Sequence, residues 1–278
     1  MLQDHYTTVI IGAGPAGLIA AIEAYDLNNS MIILEKMDRP ALKLKISGKG
    51  RCNITNHAGI NDFIARFGKN GKFLKYSFSI FFVSDLLHYF EKLGVQCKLE
   101  RGGRYFPVND NAMDIVNALL GKVKSLSIPL FTRSEVTDIQ KIDDRYFSIY
   151  LNIKSRKNNR KRTNRVIRAD KIILATGGKS YPQTGSSGAG YKIAVKFGHT
   201  ITPLSPSLVP LNTQGPVAGQ LQGLSLKNVT ASIWCENKKI DQQFGEMIFT
   251  DSGVSGPIIQ AIGFTGRLYD QDFIFRNF

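Results

Sequence analysis

The sequence predicts an α/β chain, with a parallel-sheet domain over residues 1–194 and a smaller, mostly-β part over 195–278. Three observations carry the prediction. A short β-branched run enters a glycine-rich turn and then a helix; a second apolar strand ends in an acid; and a later β-branched strand ends in a cluster of small residues. Alternation of this kind, with strands apolar throughout, is the pattern of parallel strands buried on both faces.

The first strand is TTVII, residues 7–11. It runs into Gly12-Ala13-Gly14-Pro15-Ala16-Gly17, which fits GxGxxG, and on into LIAAIEAYDLNN, a helix expected to stop at Asn28-Asn29. MIILEK follows as the second strand, ending in Glu35 and Lys36. Gly12 permits a tight turn, Gly14 lets backbone approach a pyrophosphate, and Gly17 lets helix pack close to strand. Pro15 and Ala16 open the helix, whose free N–H groups and positive dipole end suit phosphates. Glu35 is placed to accept from the hydroxyls of an adenosine ribose, and its charge disfavours a 2′-phosphate, hence NADP, at this first site. Together these features predict a dinucleotide site.

Two later stretches bear on which dinucleotide. KLKISGKGRCNITN, residues 43–56, carries two glycines, four cations and no acid. Ser47, Gly48, Lys49, Gly50, Arg51 and Asn53 suit a segment running along FAD toward its flavin half: backbone N–H groups, a guanidinium for phosphate, and side-chain donors for ring oxygens. An exposed basic loop is the plain alternative. Farther on, KIILATGGKSYPQTGSSGAGY (171–191) is a strand ending in Ala175-Thr176-Gly177-Gly178, where small residues allow a chain to cross beneath a cofactor.

With those residues in view, the chain resembles the BaiN/YhiN-like family of FAD-dependent oxidoreductases. The resemblance rests on VIIGAGPAGLIAAIEA, KLKISGKGRCNITN, GRYFPVNDNAMDIVNALL, ILATGGKSYPQTGSSGAGYKIAVKFGH, PLSPSLVPL, GLSLKNVTASI and GEMIFTDSGVSGP, in the family's order over most of residues 7–260. It implies a glutathione-reductase-like FAD-binding Rossmann-type domain with an inserted domain, part barrel-like β and part helical. It also implies that Lys45, Ser47, Gly48, Arg51, Cys52 and Asn53 lie along the flavin, and Thr176, Gly177 and Gly178 on the return crossing. Some members reduce a conjugated carbon–carbon double bond in oxidised bile acids and others carry amine-oxidase-like names, so the substrate does not transfer.

The family's chain returns to the FAD domain through a glycine-rich, acid-tipped segment, which is not found here after GPIIQAIGF. The final TGRLYDQDFIFRNF reads either as the start of another barrel strand or as an unrelated tail. A truncated dinucleotide-binding fragment without catalysis, completed by a partner chain or by self-association, therefore stands as the alternative to an enzyme.

Composition narrows the rest. The 278 residues include no run of the ~18 to 20 apolar residues a membrane span needs, and MLQDHYTTVIIGAG lacks the features of a signal peptide, so the expectation is a soluble cytoplasmic protein. Cys52, Cys97 and Cys235 form no CxxC, and the four histidines have no ligand spacing, so neither a disulfide framework nor a metal site is expected. The net charge of +14 is concentrated in KSRKNNRKRTNRVIR (154–168), which has eight cations and no acid. Lying between a strand over 146–153 and another over 171–175, it reads as a solvated hairpin loop. Without interleaved aromatics it is a weak nucleic-acid patch.

If flavin binds, the expected cycle has NAD(P)H reduce it and a small organic substrate such as a conjugated enone take the hydride. No second GxGxxG provides a separate nicotinamide domain. Cys52, beside Arg51, is either a thiolate favoured by the guanidinium or a packed, flavin-adjacent thiol; with no partner cysteine the packed thiol is preferred. Tyr181 and Tyr191 flank the glycine–serine loop, better explained by packing than by proton donation, and no catalytic acid or base is named. FFVSDLLHYFEKLG (81–94) reads as an amphipathic helix closed by Gly94.

Overall fold

The computed structural model describes residues 2–158, 160–204, 208–235, 238–263 and 274–275. They form two compact units that divide at Ile201/Thr202. The junction expected at 194/195 lies inside a helix of the first unit, Ala189–Lys196.

In the first unit, β1 (His5–Ile11) leads through the glycine turn into α1 (Pro15–Glu23) and then β2 (Met31–Leu34). α2 (Leu42–Ile46) and β3 (Thr55–Asn56) precede three helices, α3 (Ile60–Arg66), α4 (Lys75–Ile80) and α5 (Val83–Lys92). β4 (Cys97–Glu100) and β5 (Arg104–Pro107) join β3 in a small antiparallel sheet of order β3-β5-β4. Then come α6 (Ala112–Ser125), β6 (Leu130–Phe131), β7 (Ser134–Lys141), β8 (Phe147–Lys154), β9 (Arg162–Leu174) and α7 (Ala189–Lys196).

The main sheet has the order β6-β2-β1-β9-β8-β7. β1 pairs parallel with β2 and β9, while β8 runs antiparallel between β9 and β7. Both faces are covered, which is why β2 reads MIIL with every residue buried. Ile10 and Ile33 pack with Leu18, Ile115 and Leu119 of α1 and α6. Their neighbours Val9, Ile11, Ile32 and Leu34 point the other way, onto Ile139, Ile149 and Ile167.

Two sequence expectations are corrected. α1 ends at Glu23 and not at Asn28-Asn29, because Asp26 captures the Asn28 amide on its Oδ1 at 2.9 Å in a local turn that competes with helix. Half of the basic segment is strand: Lys154 ends β8, and Arg162–Arg168 pair along it in β9. Ile167 and Ala169 point into the core while Arg168 stays exposed, so a half-buried strand had been masked by its charged face.

The second unit holds β10 (Leu211–Asn212), α8 (Val217–Gln220), β11 (Ser225–Cys235), β12 (Lys238–Phe249), β13 (Gly253–Ser255), α9 (Pro257–Gly263) and β14 (Ile274–Phe275). These strands form one antiparallel sheet, β10-β13-β12-β11-β14. α9 covers it through Ile258, Ile259 and Ile262, which pack with Ala231, Ile233 and Val254. Of the tail TGRLYDQDFIFRNF, Ile274 and Phe275 pair with Trp234 and Ile233; the other tail residues lie outside the described set. No described helix is long and apolar enough to cross a membrane.

Candidate functional site

The glycine turn is built as its sequence requires, and each glycine has its own reason. Gly12 sits at φ +105°, where a Cβ would stand 2.5 Å from the Ala175 carbonyl oxygen. A Cβ on Gly17 would stand 1.9 Å from the Gly12 carbonyl oxygen, so helix and turn touch there. At Gly14 a Cβ would meet nothing within 4 Å. The protein itself therefore does not demand a glycine at 14; the space above it is an open cradle at the N-cap of α1. No side chain caps this helix, and Pro15 occupies its first turn.

Around the turn, three segments of chain converge. Gly12 N donates to Leu34 O at 2.8 Å, Ala175 N to Ile11 O at 2.9 Å, and Ala41 N to Ala13 O at 2.9 Å. Glu35 is buried, and its carboxylate accepts from Ala13 N through Oε2 and from Met37 N through Oε1, both at 2.8 Å. Each oxygen keeps a free acceptor site for a ligand hydroxyl. Lys36 Nζ donates to Ser187 Oγ at 2.8 Å, and Lys43 Nζ to Ser186 Oγ at 2.7 Å, which ties the 180–188 loop to this edge. Partial burial holds the Lys43 amine below its ordinary value.

Ala175, Thr176, Gly177 and Gly178 back the turn as the sequence suggested. A Cβ on Gly177 would meet Ser186 Oγ at 2.9 Å, and one on Gly178 would meet Tyr191 OH at 3.2 Å. Tyr191 thus packs on its own loop, whereas Tyr181 is mainly exposed.

The 45–53 segment is a chain of left-handed residues: Gly48, Lys49, Gly50 and Cys52 all have positive φ. A Cβ on Gly48 would stand 2.7 Å from Asn53 N, which fixes that glycine. Ser47 closes the start, its Oγ donating to Leu44 O at 2.8 Å and its carbonyl accepting from Cys52 N at 3.0 Å. Lys45 and Asn53 are exposed.

Arg51 is not the free phosphate-binding cation expected of it. Its guanidinium lies 4.0 Å over the Phe106 ring and donates to Glu100 Oε1 and to Asp110 Oδ1, the latter at 2.6 Å. These carboxylates raise its pKa further, Asp110 first, and leave it as an anchor of the loop. The prospect of an Arg51-activated thiolate falls with it. Cys52 is 1% exposed, and burial pushes its thiol up, against a smaller opposing hydrogen bond with Ser47.

Sequence reasoning missed Lys43 with Ser186, the Arg51 carboxylates, and a hydrogen bond of 3.0 Å between His57 Nδ1 and Tyr105 OH. All of these join residues far apart in the chain, and no local motif announces them. Among the described residues, no group of three His, Cys, Asp or Glu side chains has the arrangement of a metal site.

Parallel strands, a glycine turn at a helix N-terminus and an acid-tipped second strand together define a Rossmann-type nucleotide-binding domain. The chain belongs to the HI0933-like family, residues 6–268 matching the model of the HI0933-like protein Rossmann domain. It is 30% identical over 263 residues to ribosomal RNA dihydrouridine synthase of Escherichia coli K12, covering 94% of this chain and 61% of that protein. To the 3-dehydro-bile acid delta(4,6)-reductase of Clostridium scindens it is 30% identical over 254 residues, 90% of this chain and 58% of the relative. The chain thus spans less than two thirds of either relative. Its fold is similar to the open conformation of a flavocytochrome c3 fumarate reductase, with a TM-score of 0.56 at 17% identity, over 81% of this chain and 47% of that one. The family resemblance read from the sequence is borne out.

Proposed function

We propose that this chain binds FAD in the cradle above Gly14 and serves an FAD-dependent oxidoreductase that saturates a carbon–carbon double bond conjugated to a carbonyl. The observation that carries the reading is the contrast among three glycines. Gly12 and Gly17 are required by contacts within the protein, whereas at Gly14 a Cβ would meet only open space at the start of α1. A pyrophosphate against Gly14 and the first amides of α1 would use that space.

In this reading Glu35 accepts the ribose hydroxyls on its remaining lone pairs while its hydrogen bonds to Ala13 and Met37 hold the turn still. The small residues Ala175 to Gly178 let the chain pass close behind the cofactor. Lys45, Ser47, Gly48, Cys52 and Asn53 lie on its flavin side, with Arg51 holding that segment from behind. FAD when bound supplies the hydride chemistry; the residues here position it and exclude water. NAD(P)H is the proposed electron donor, visiting the flavin face without a domain of its own.

The names of the two relatives support the reaction type. One is a delta(4,6)-reductase and the other makes dihydrouridine, a pyrimidine whose ring double bond is saturated; both outcomes place hydrogen across a polarised double bond. The first test is the visible spectrum of the purified chain, followed by titration with FAD and anaerobic addition of NADH or NADPH. A flavin band bleached by either nucleotide is expected. Folded protein that takes up no FAD would sink the reading in favour of a fragment that needs a partner chain.

A further inference from the structure

The layer formed by α3, the turn over 68–74 and α4 has a composition unlike the rest of the first unit. Residues 63–84 contain four cations, Arg66, Lys69, Lys72 and Lys75, and no acid, with seven aromatic residues interleaved. Three of those aromatics are the layer's own core. Phe63, Phe78 and Phe82 meet edge-on or tilted with ring centroids 5.0 to 5.7 Å apart, joining α3 and α4 to the start of α5.

Others face solvent. Phe67 is 48% exposed, Phe73 86% and Tyr76 76%, all within ten residues. Single exposed aromatics are ordinary; a run of three is not. Arg66, Lys72 and Lys75 are exposed beside them, and none of the three pairs with an acid among the described residues. Phe67 leans on Phe78 of that core, with ring centroids 6.1 Å apart, while Phe73 and Tyr76 are largely open; cations alternating with exposed rings match a strand that alternates phosphates with bases.

A second feature adjoins this surface. Phe82, a member of the aromatic core, also lines a cavity of about 460 Å³ with Val83 and Leu87, and the His57–Tyr105 hydrogen bond stands at the same cavity. Its walls are apolar enough for the faces of a ring, and His57 and Tyr105 offer donors and acceptors for a ring's edge. An anionic bilayer would also attract the aromatics and lysines but has no use for such a pocket. The hairpin tip over 155–161 is basic too, yet offers no ring to stack on.

We propose that the α3–α4 layer is a docking surface for single-stranded RNA, with bases stacking on Phe67, Phe73 and Tyr76 and phosphates held by Arg66, Lys72 and Lys75. This surface is argued from its own side chains and stands or falls independently of the double-bond reduction proposed above.

The test is fluorescence anisotropy of a labelled oligouridylate of about 12 nucleotides across a salt series, within the range of strand-binding site sizes. The combined variant Phe67→Ala/Phe73→Ala/Tyr76→Ala is expected to bind at least roughly tenfold more weakly with its salt slope kept. Arg66→Gln/Lys72→Gln/Lys75→Gln should flatten the slope of log affinity against log salt by about 2. Arg156→Gln/Lys157→Gln at the hairpin tip serves as the charge control and should change binding least. Circular dichroism checks that each variant folds; all the substituted side chains are exposed, so folding is expected.

The RNA surface is overturned if the native chain does not bind the oligonucleotide at low salt, or if both sets of variants bind like the native chain. Equally, it fails if they lose only binding to phosphatidylglycerol vesicles. Visible absorbance scores the flavin reading separately. A yellow protein indifferent to RNA overturns this surface alone, whereas a colourless one that binds RNA through these side chains supports the surface and sinks the flavin reading.

Discussion

Glu35 reaches back across the glycine turn to Ala13, accepting its amide at 2.8 Å, while its other oxygen takes the Met37 amide at the same distance. One carboxylate thus joins the end of β2 to the loop that follows β1. Glu35→Ala leaves two amide donors without their acceptor, and at least the buried one, at Ala13, has no easy replacement. The expected loss is about 1–3 kcal/mol in chemical denaturation, together with weaker FAD binding. Glu35→Gln keeps an acceptor and should recover part of the stability. If Glu35→Ala unfolds like the native chain, the turn is held by something else.

The glycines of the turn separate folding from binding. Gly17→Ala would push a methyl into the Gly12 carbonyl oxygen, so most of the protein should fail to fold or should melt far below the native chain. Gly14→Ala meets open space and costs only the ordinary cap difference, about 0.5–1 kcal/mol, yet it should weaken FAD binding at least tenfold. Thermal melting beside FAD titration distinguishes the two. Equal FAD affinity in Gly14→Ala and the native chain would remove the cradle from the cofactor site.

What the sequence made legible follows from the range over which each feature is specified. The strand–turn–helix from His5 to Glu23 is local, with β-branched and glycine positions only a few residues apart, so it could be read directly. The role of Arg51 is set by Glu100 and Asp110, 49 and 59 residues away, and a guanidinium in a basic loop looked free. The strand within 162–168 was hidden for another reason. Only Ile167 is buried there, and Asn164 and Val166 are exposed, so apolar alternation was too sparse to outweigh the charge. Lys43 and Ser186 could not be paired in advance, because their meeting depends on β9 pairing parallel beside β1, more than 150 residues along the chain.

Burial gives Cys52 a test of its own. Burial pushes both the Cys52 and the Cys97 thiol up, but Cys52 has almost no exposure, so it should react with iodoacetamide far more slowly than the half-buried Cys97 in the native protein at pH 8. Peptide mass spectrometry after timed quenching resolves the two sites, and denaturant should bring their rates together. Cys52→Ala removes a small buried group and should cost roughly 1–2 kcal/mol, without preventing reduction of any bound flavin by NAD(P)H. Rapid native labelling of Cys52, or loss of flavin reduction in Cys52→Ala with the flavin still bound, would restore it as a reactive thiol.

The Arg51 cluster predicts a pH dependence whose sign is fixed by its carboxylate. Lys98 and Arg51, in that order, hold Asp110 below the ordinary aspartate range through hydrogen bonds. Because the folded pKa is depressed, the folded state takes up the proton less readily than the unfolded chain. The stabilisation is therefore present above the ordinary aspartate value near ~3.9 and is lost as pH falls through it toward the folded value. The group is exposed, so the effect is small and should shrink further in high salt. Asp110→Asn should lower stability at pH 7 slightly and flatten its decline between neutral pH and acid relative to the native chain. Urea denaturation at a series of pH values, at low and at high salt, measures this. Parallel acid limbs for the two proteins would show that the Asp110 pairing contributes nothing to the hold on the 45–53 segment.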